Sequence, residues 1–211
     1  VSATPVAAFD FDGTLTRRDT LIGFLRFAAG DAAVGAALAR TAPTVLRART
    51  GRLPAGLEPR DAGKEHLLHT IFAGRSADWL EARGARYAET LGGRLRPDVV
   101  QRLAWHRDQG HKLVIVSASL QTYLKHFGRE HGFDEVIAVE LEVDDDRRLT
   151  GGLVGPNVRG PEKEKRLRRW LDDLGEVGPL WAYGNSSGDR ELLAMARHAT
   201  LVGRDELRPA P

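Results

Sequence analysis

Pro5-Val6-Ala7-Ala8-Phe9-Asp10-Phe11-Asp12-Gly13-Thr14-Leu15-Thr16 is the stretch that decides the fold. A short apolar run that stops abruptly at an acid reads as a buried strand followed by a loop. Two carboxylates, Asp10 and Asp12, then stand at the strand's carboxyl end, where Gly13 permits a tight turn and Thr14 offers a hydroxyl. An Asp-x-Asp pair by itself is an ordinary turn or helix-cap feature. Three later segments of the chain give it a chemical meaning.

From about Arg18 to Leu91 the pattern changes to Ala, Leu and Arg at helical spacing, broken near Gly30, between Gly51 and Arg60, and near Gly74. That predicts about four helices. A second unit comes next: Pro97 opens a helix through about Arg107, and Leu113-Val-Ile-Val116 forms a buried strand ending in Ser117-Ala118-Ser119. After a helix near Gln121 to Glu130, residues 136–143 and 149–154 read as two strands of a hairpin around the polar turn Asp144 to Arg148. A helix from about Glu162 to Leu174, a strand at Leu180 to Tyr183 and the run Gly184-Asn185-Ser-Ser-Gly-Asp189 before a further helix complete the alternation. Short apolar strands alternating with helices predict an α/β fold with a parallel sheet. In such sheets ligands bind outside the carboxyl ends of the strands, where these polar segments converge.

Asp10 and Asp12 in one pocket suggest a hard divalent cation, since Mg²⁺ takes one or two protein carboxylates together with waters and a substrate phosphate oxygen. Asp10 can lend one oxygen to the metal while the other attacks phosphorus, and Asp12 can protonate the leaving oxygen and later deprotonate water. Ser117 can hold a phosphate oxygen with nearby backbone N–H groups, although a Ser or Ser119 in this place also reads as a helix cap. Lys163, at the start of its helix, can offset charge on Asp10 and phosphate, or belong to a solvated run with Lys165, Arg166, Arg168 and Arg169. Asp189 can complete the metal shell and Asn185 can add a carbonyl oxygen, or both can cap the helix from Arg190.

These four segments, in this order, resemble the haloacid dehalogenase superfamily of aspartate-nucleophile phosphatases. The resemblance implies a Rossmann-like parallel sheet core over residues 1–17 and 95–211, an inserted helical type-1 cap over 18–94, and a small β-hairpin flap. It also implies Asp10 as nucleophile, Asp12 as acid/base and Lys163 as the charge-neutralising lysine. Phosphate would lie against Gly13, Thr14, Ser117 and Ala118, and Mg²⁺ against Asp10, Asp12, Asn185 and Asp189. The closest branch is subclass IB, which holds phosphoserine phosphatase-like and phosphatidylglycerophosphate phosphatase-like enzymes. Two departures bear on metal and substrate. Asn185 stands where the fourth motif usually has Asp, and Asp19 stands where phosphoserine-specific enzymes have Glu, leaving Asp19 as a shorter substrate-binding candidate.

Within residues 31–64, Arg40, Arg47, Arg49, Arg52, Arg60 and Lys64 outnumber Asp31, Glu58 and Asp61, close to Leu21, Phe24, Leu25 and Phe27. This reads as a solvated helical face, or as a surface attracting an anionic or lipid phosphate. The expected substrate is therefore a small phosphorylated metabolite, with a lipid phosphate as a second candidate. Alternatives are a phosphate-ligand-binding module with weak or no activity, motivated by Asn185, and a dehalogenase. His66 and His69 read as packed or surface residues rather than metal ligands, and Trp79, Trp105, Trp170 and Trp181 as packing.

The 211 residues contain no cysteine, which excludes disulfides, a thiolate nucleophile and thiolate metal sites. A formal charge of +2 implies no nucleic-acid partner. No stretch approaches the ~18 uncharged apolar residues of a spanning helix and the start lacks a signal-peptide pattern. Cytoplasmic location is the expectation, with membrane-surface contact at most.

Overall fold

The computed structural model describes residues 3–49, 59–203 and 207, with the side chains of 44–49 and of 59–60 not included. The side chains of Arg47, Arg49 and Arg60, the whole of Arg52, and the predicted break from Gly51 to residue 58 therefore lie outside what is described.

The first apolar run forms strand β1, Thr4–Phe9, in which Val6, Ala7, Ala8 and Phe9 are fully buried. A strand enclosed on both faces belongs in the middle of a sheet covered by helices. Four helices come after it, α1 (Leu21–Ala29), α2 (Asp31–Arg49), α3 (Pro59–Phe72) and α4 (Ala77–Ala88). The chain returns through α5 (Pro97–Asp108) to β2 (Lys112–Leu120), α6 (Gln121–Glu130) and β3 (Glu135–Val139). Next come the short strands β4 (Leu141–Val143) and β5 (Leu149–Leu153), helix α7 (Pro161–Leu174), β6 (Val177–Gly184), α8 (Arg190–Met195) and β7 (His198–Leu201). The large sheet has the order β3-β2-β1-β6-β7, and each pairing in it is parallel. Among the described residues, no helix is long and apolar enough to cross a membrane.

This order makes β1 the switch point. The chain builds outward from one side of β1 through β2 and β3, then resumes on the other side with β6 and β7. Crossovers that diverge from a central strand leave a crevice at its carboxyl end. Phe9 is in register with Ile115 on β2 and with Tyr183 on β6, so the residues just beyond these emerge side by side. Beneath them Phe9 stacks on Tyr183 at 4.4 Å and 7°. The Tyr183 hydroxyl is held by Arg102 at 2.8 Å and by His106 at 2.9 Å. Burial pushes His106 down to about 3, which keeps this support neutral.

The structure corrects three details. The predicted strand 136–143 is divided, because its first part joins the large sheet as β3 whereas Leu141–Val143 pairs antiparallel with β5. The Ser117-Ala118-Ser119 segment lies within β2 rather than after it, and the β2–β3 register shifts between Val116 and Leu120. Strand β7 has no counterpart among the predicted strands; it is four residues long and mostly exposed, so it carries little apolar signal.

The outer edge of β5 is also paired. Gly74 N–H donates to Leu149 O, Leu149 N–H to Arg75 O and Ala77 N–H to Arg147 O, which fastens the hairpin to the α3–α4 connection. His69 packs against Gly151, where a Cβ would lie 2.4 Å from Nδ1, so this histidine is a packing residue. Trp79 is flanked by the Arg75 and Arg83 guanidinium groups, and Trp105 and Trp181 pack edge to face.

At the start of α5, Arg96 and Asp98 form a buried ion pair at 2.8 Å, and Asp98 also accepts from Leu207 N–H. Hydrogen bonds from Arg96, against the opposing effect of burial and with help from the Leu207 amide, hold the Asp98 carboxyl down at about 2. A depressed acid stabilises the fold above its unfolded-state pKa near 4, and that contribution is lost as pH falls toward 2. Asp98→Asn should lower stability at pH 7 by about 1.5–3 kcal/mol. It should also flatten the stability profile between about pH 4 and 2, as measured by chemical denaturation at a series of pH values.

Candidate active site

Asp10 comes directly after β1, and its N–H donates to Tyr183 O at 2.9 Å, which fixes the backbone as it leaves the sheet. The next turn is closed by Thr14 N–H and Thr16 N–H on Phe11 O. Gly13 sits at φ 82°, and a Cβ there would lie 1.9 Å from Asn185 Nδ2. This position needs glycine both for its backbone and for the close approach of the β6 loop. Gly184 has a similar role, since a Cβ on it would lie 2.4 Å from the Cβ of Asp189.

The turn aims Asp10 into the crevice at 6% exposure. Thr14 donates its hydroxyl to Asp10 Oδ2 at 3.0 Å, and Lys163 Nζ donates to Oδ1 at 2.6 Å. Lys163 is also 2.6 Å from Asp189 Oδ1, so one ammonium joins two buried carboxylates from opposite sides of the site. The other oxygen of Asp189 accepts from Asn185 N–H, Ser186 N–H and the Ser186 hydroxyl. Asp189 thus shapes the loop after β6 as well as facing the crevice, so the cap reading and the site reading both describe it.

Charge and burial compete throughout this cluster. Burial raises the pKa of Asp10, the Lys163 ammonium opposes the rise, and the like charge of Asp189 adds to it. For Lys163 burial acts against the charged form, but the two carboxylates outweigh it and the ammonium is held above its usual range. Burial also opposes ionisation of Asp189, yet Lys163 and Ser186 hold its carboxyl down.

Asp12 projects the other way. Its Oδ1 accepts from Thr20 N–H and the Thr20 hydroxyl, both at 2.7 Å, and its Oδ2 accepts from the Ser119 hydroxyl. The Thr20 hydroxyl also meets the Tyr123 hydroxyl at 2.9 Å, and Tyr87 donates to Thr20 O. Burial, with the nearby charge of Asp19, pushes Asp12 up to about 7 despite these donors. Ser117 is 1% exposed, and its oxygen accepts from Ser119 N–H at 3.0 Å, leaving its own hydrogen to donate. Ser119 is not the cap of α6, because the capping position falls at Leu120 and no side chain caps it.

Together these residues line a cleft of about 540 Å³ that also includes Asp19, Ala118 and Asn185. Asp19 is exposed at its rim, and its Oδ1 accepts from Leu21 and Ile22 N–H at the start of α1. Part of its capacity to hold a substrate is therefore already committed. The cleft also contains residues that the sequence did not single out. Lys64 counts toward the basic face in the sequence, but here it turns into the cleft and donates to the Ala118 carbonyl and to Asn157 Oδ1. No local spacing on α3 signals this, because the partners lie 54 and 93 residues away. Arg40, by contrast, is exposed.

The donors that converge around Asp10 are all hard oxygens: two carboxylates, Asp10 and Asp189, and the Asn185 amide. Among the described residues no group of three or more His, Asp or Glu forms a metal cage. A cation that takes one or two carboxylates and completes its shell with water and phosphate oxygen fits such a set, and Mg²⁺ is of that kind.

Residues 7–194 match the model of the haloacid dehalogenase-like hydrolase family. The chain is 37% identical over 194 residues to Protein CicA of Caulobacter vibrioides, covering 90% of this chain and 82% of that one. A shorter match, 26% over 104 residues and 47% of each chain, is to Histidinol-phosphatase of Neisseria meningitidis. Among solved structures, a protein from Bordetella pertussis Tohama I superposes with TM-score 0.75 at 24% identity, covering 92% of this chain and 88% of that one. A phospho-aspartyl intermediate analogue of phosphoserine phosphatase superposes with TM-score 0.58 at 18% identity, covering 92% and 84%.

The glycine contacts give a direct test of the geometry. Gly13→Ala should cost about 1–3 kcal/mol from its positive φ and displace Asn185, lowering both the thermal midpoint and any catalytic rate. Gly35→Ala, where a Cβ meets nothing within 4 Å, should leave stability unchanged or raise it by up to about 1 kcal/mol. Equal effects of the two substitutions on thermal unfolding would contradict this packing.

Proposed function

The chain belongs to the haloacid dehalogenase-like hydrolase family, and from that premise we propose that it is a phosphomonoester phosphatase working through an aspartyl-phosphate on Asp10. The observation that carries the reading is the placement of two carboxylates with separate surroundings. Asp10 is held beside Lys163 and Thr14, and Asp12 is held by Thr20 and Ser119.

Each residue has its own share of the chemistry. Ser117 donates to the phosphate with help from backbone N–H groups near Gly13, Thr14 and Ala118, and Lys163 offsets the negative charge brought together by Asp10 and phosphate. A carboxylate oxygen of Asp10 forms a bond to phosphorus as the ester P–O bond breaks, and the departing alkoxide takes a proton from Asp12. Water then attacks phosphorus, giving its proton to Asp12, and the bond to Asp10 breaks to release inorganic phosphate. A carboxyl near 7 suits a group that must both give and take a proton near neutral pH.

Mg²⁺ would be held by Asp10, Asn185 and Asp189, and by Asp12 only through its main-chain oxygen because the Asp12 carboxylate turns to Thr20 and Ser119; there it would supply positive charge for the phosphate oxygens. Asn185 contributes an oxygen without charge, so affinity rests on the carboxylates. In this reading, residues 18–94 form a cap over a core of 1–17 and 95–211, and the cap screens the substrate from water. The likeness to phosphoserine phosphatase structures and a cleft of about 540 Å³ favour a small phosphorylated metabolite over a lipid phosphate.

Asp10→Asn should reduce turnover of p-nitrophenyl phosphate by at least about 10³-fold while leaving the fold intact by circular dichroism. A folded variant with near-wild-type turnover would overturn the assignment. Chelation should abolish wild-type turnover and added Mg²⁺ should restore it, whereas undiminished activity in chelator would rule out a metal requirement.

A further inference from the structure

The oxygens around Asp10 that would face a divalent cation are largely engaged by groups of the protein itself. Asp189 Oδ2 accepts from Asn185 N–H at 3.1 Å, from Ser186 N–H at 2.9 Å and from the Ser186 hydroxyl at 2.9 Å. Its Oδ1 accepts from Lys163 Nζ at 2.6 Å. Asp10 Oδ1 accepts from the same ammonium at 2.6 Å, and Asp10 Oδ2 from the Thr14 hydroxyl at 3.0 Å. A carboxylate oxygen offers about two lone-pair sites. Asp189 Oδ2 is therefore fully used, and each remaining oxygen keeps room for one further partner.

Negative charge is scarcer still. Asn185 enters the cluster as a neutral amide, seated so close to the turn after Asp10 that a Cβ on Gly13 would lie 1.9 Å from its Nδ2. Asp12 directs its carboxylate to Thr20 and Ser119, away from this group. Asp10 and Asp189 remain, and the Lys163 ammonium bridges them. Two carboxylates and one ammonium present a single net negative charge to a doubly charged ion. Lys163 is 1% exposed, so it cannot withdraw into water and leave both acids to that ion.

Mg²⁺ gives up its water reluctantly and is usually bound through one or two carboxylates together with substrate phosphate oxygens. A shell with one net negative charge matches it poorly. Phosphate changes that balance in two ways of the same sign. Lying against Ser117 and Lys163, a phosphate dianion places its own negative oxygens beside the ion. It also draws on the Lys163 ammonium, which otherwise competes with the ion for the oxygens of Asp10 and Asp189.

Resting on the phosphatase reading above, we propose that uptake of the divalent ion is conditional on phosphate: the free enzyme binds Mg²⁺ weakly, and the phosphate group brings the negative charge that the neutral Asn185 and the Lys163 clasp withhold. Ion and phosphate enter the cleft as a linked pair. Such linkage is reciprocal, so Mg²⁺ tightens phosphate by the same factor by which phosphate tightens Mg²⁺.

The test is calorimetric titration of the metal-stripped wild-type protein with Mg²⁺, with and without inorganic phosphate, and the converse titration of phosphate with and without Mg²⁺. Phosphate should lower the Mg²⁺ dissociation constant by about tenfold to hundredfold, and Mg²⁺ should lower that of phosphate by an equal factor. Asn185→Asp, which keeps the side-chain shape and adds a charge, should tighten Mg²⁺ without phosphate by about tenfold or more and shrink the coupling. Lys163→Met gives a second reading if that variant does not fold, because freeing both carboxylates should also tighten Mg²⁺ in the absence of phosphate. A wild-type Mg²⁺ affinity that phosphate leaves unchanged overturns the proposal, and so does an Asn185→Asp protein that binds Mg²⁺ no better than wild type. Hydrolysis of p-nitrophenyl phosphate by the wild type with Mg²⁺ separates the two levels. Absence of hydrolysis undoes the phosphatase reading, whereas turnover with a phosphate-independent Mg²⁺ affinity undoes only the linkage.

Discussion

The clasp of one ammonium on two buried carboxylates holds the rest of the site in place. Lys163 Nζ lies 2.6 Å from both Asp10 and Asp189. Asp10 arrives from β1, Asp189 from the loop after β6 and Lys163 from the first turn of α7, so three separate segments must be in register before the opposite charges meet. Without the lysine, two carboxylates enclosed together could not both stay ionised. The same contact that assembles the crevice therefore also opposes the rise that burial and Asp189 impose on the Asp10 carboxyl.

The glycines and the loop contacts serve that clasp. Gly13 and Gly184 let the two loops approach closely enough to bring Asn185 and Asp189 against the turn after Asp10. Gly160 N–H donates to Gly188 O, which ties the start of α7 to the loop carrying Asp189. On the far side, Asp12 is anchored through Thr20 to the beginning of the helical insert and through Ser119 to β2. The acid/base candidate is thus fixed by the insert as well as by the sheet, which links the position of α1 to the chemistry at phosphorus.

Much of this is legible in the sequence because the decisive residues sit where apolar runs end. Asp10 closes a buried strand, and Ser117, Lys163 and Asp189 each stand beside a period change that marks a strand or helix boundary. Spacing and glycine breaks are enough to place four helices between β1 and Leu91, and Pro97 marks a fifth before β2. The sequence is less informative wherever the partner is remote in the chain. The pairing of Leu141–Val143 with β5 rather than with the large sheet goes with the break at Glu140 that ends β3 at Val139, and no alternation records it. Lys64 belongs to the basic stretch 31–64 by composition, and only the folding of Asn157 and Ala118 against α3 separates it from the exposed Arg40. Asp19 shows the reverse case, in which a plausible substrate carboxylate is partly used to cap α1.

The proposed chemistry stands or falls with a covalent bond between Asp10 and phosphorus. Acid-quenching the enzyme during steady-state turnover and reducing it with borohydride converts an aspartyl-phosphate to homoserine, which peptide mass spectrometry locates. Homoserine is expected at position 10, dependent on substrate and absent from the Asp10→Asn protein. Unmodified Asp10 in enzyme that is turning over, or homoserine at another carboxylate, would contradict the nucleophile assignment.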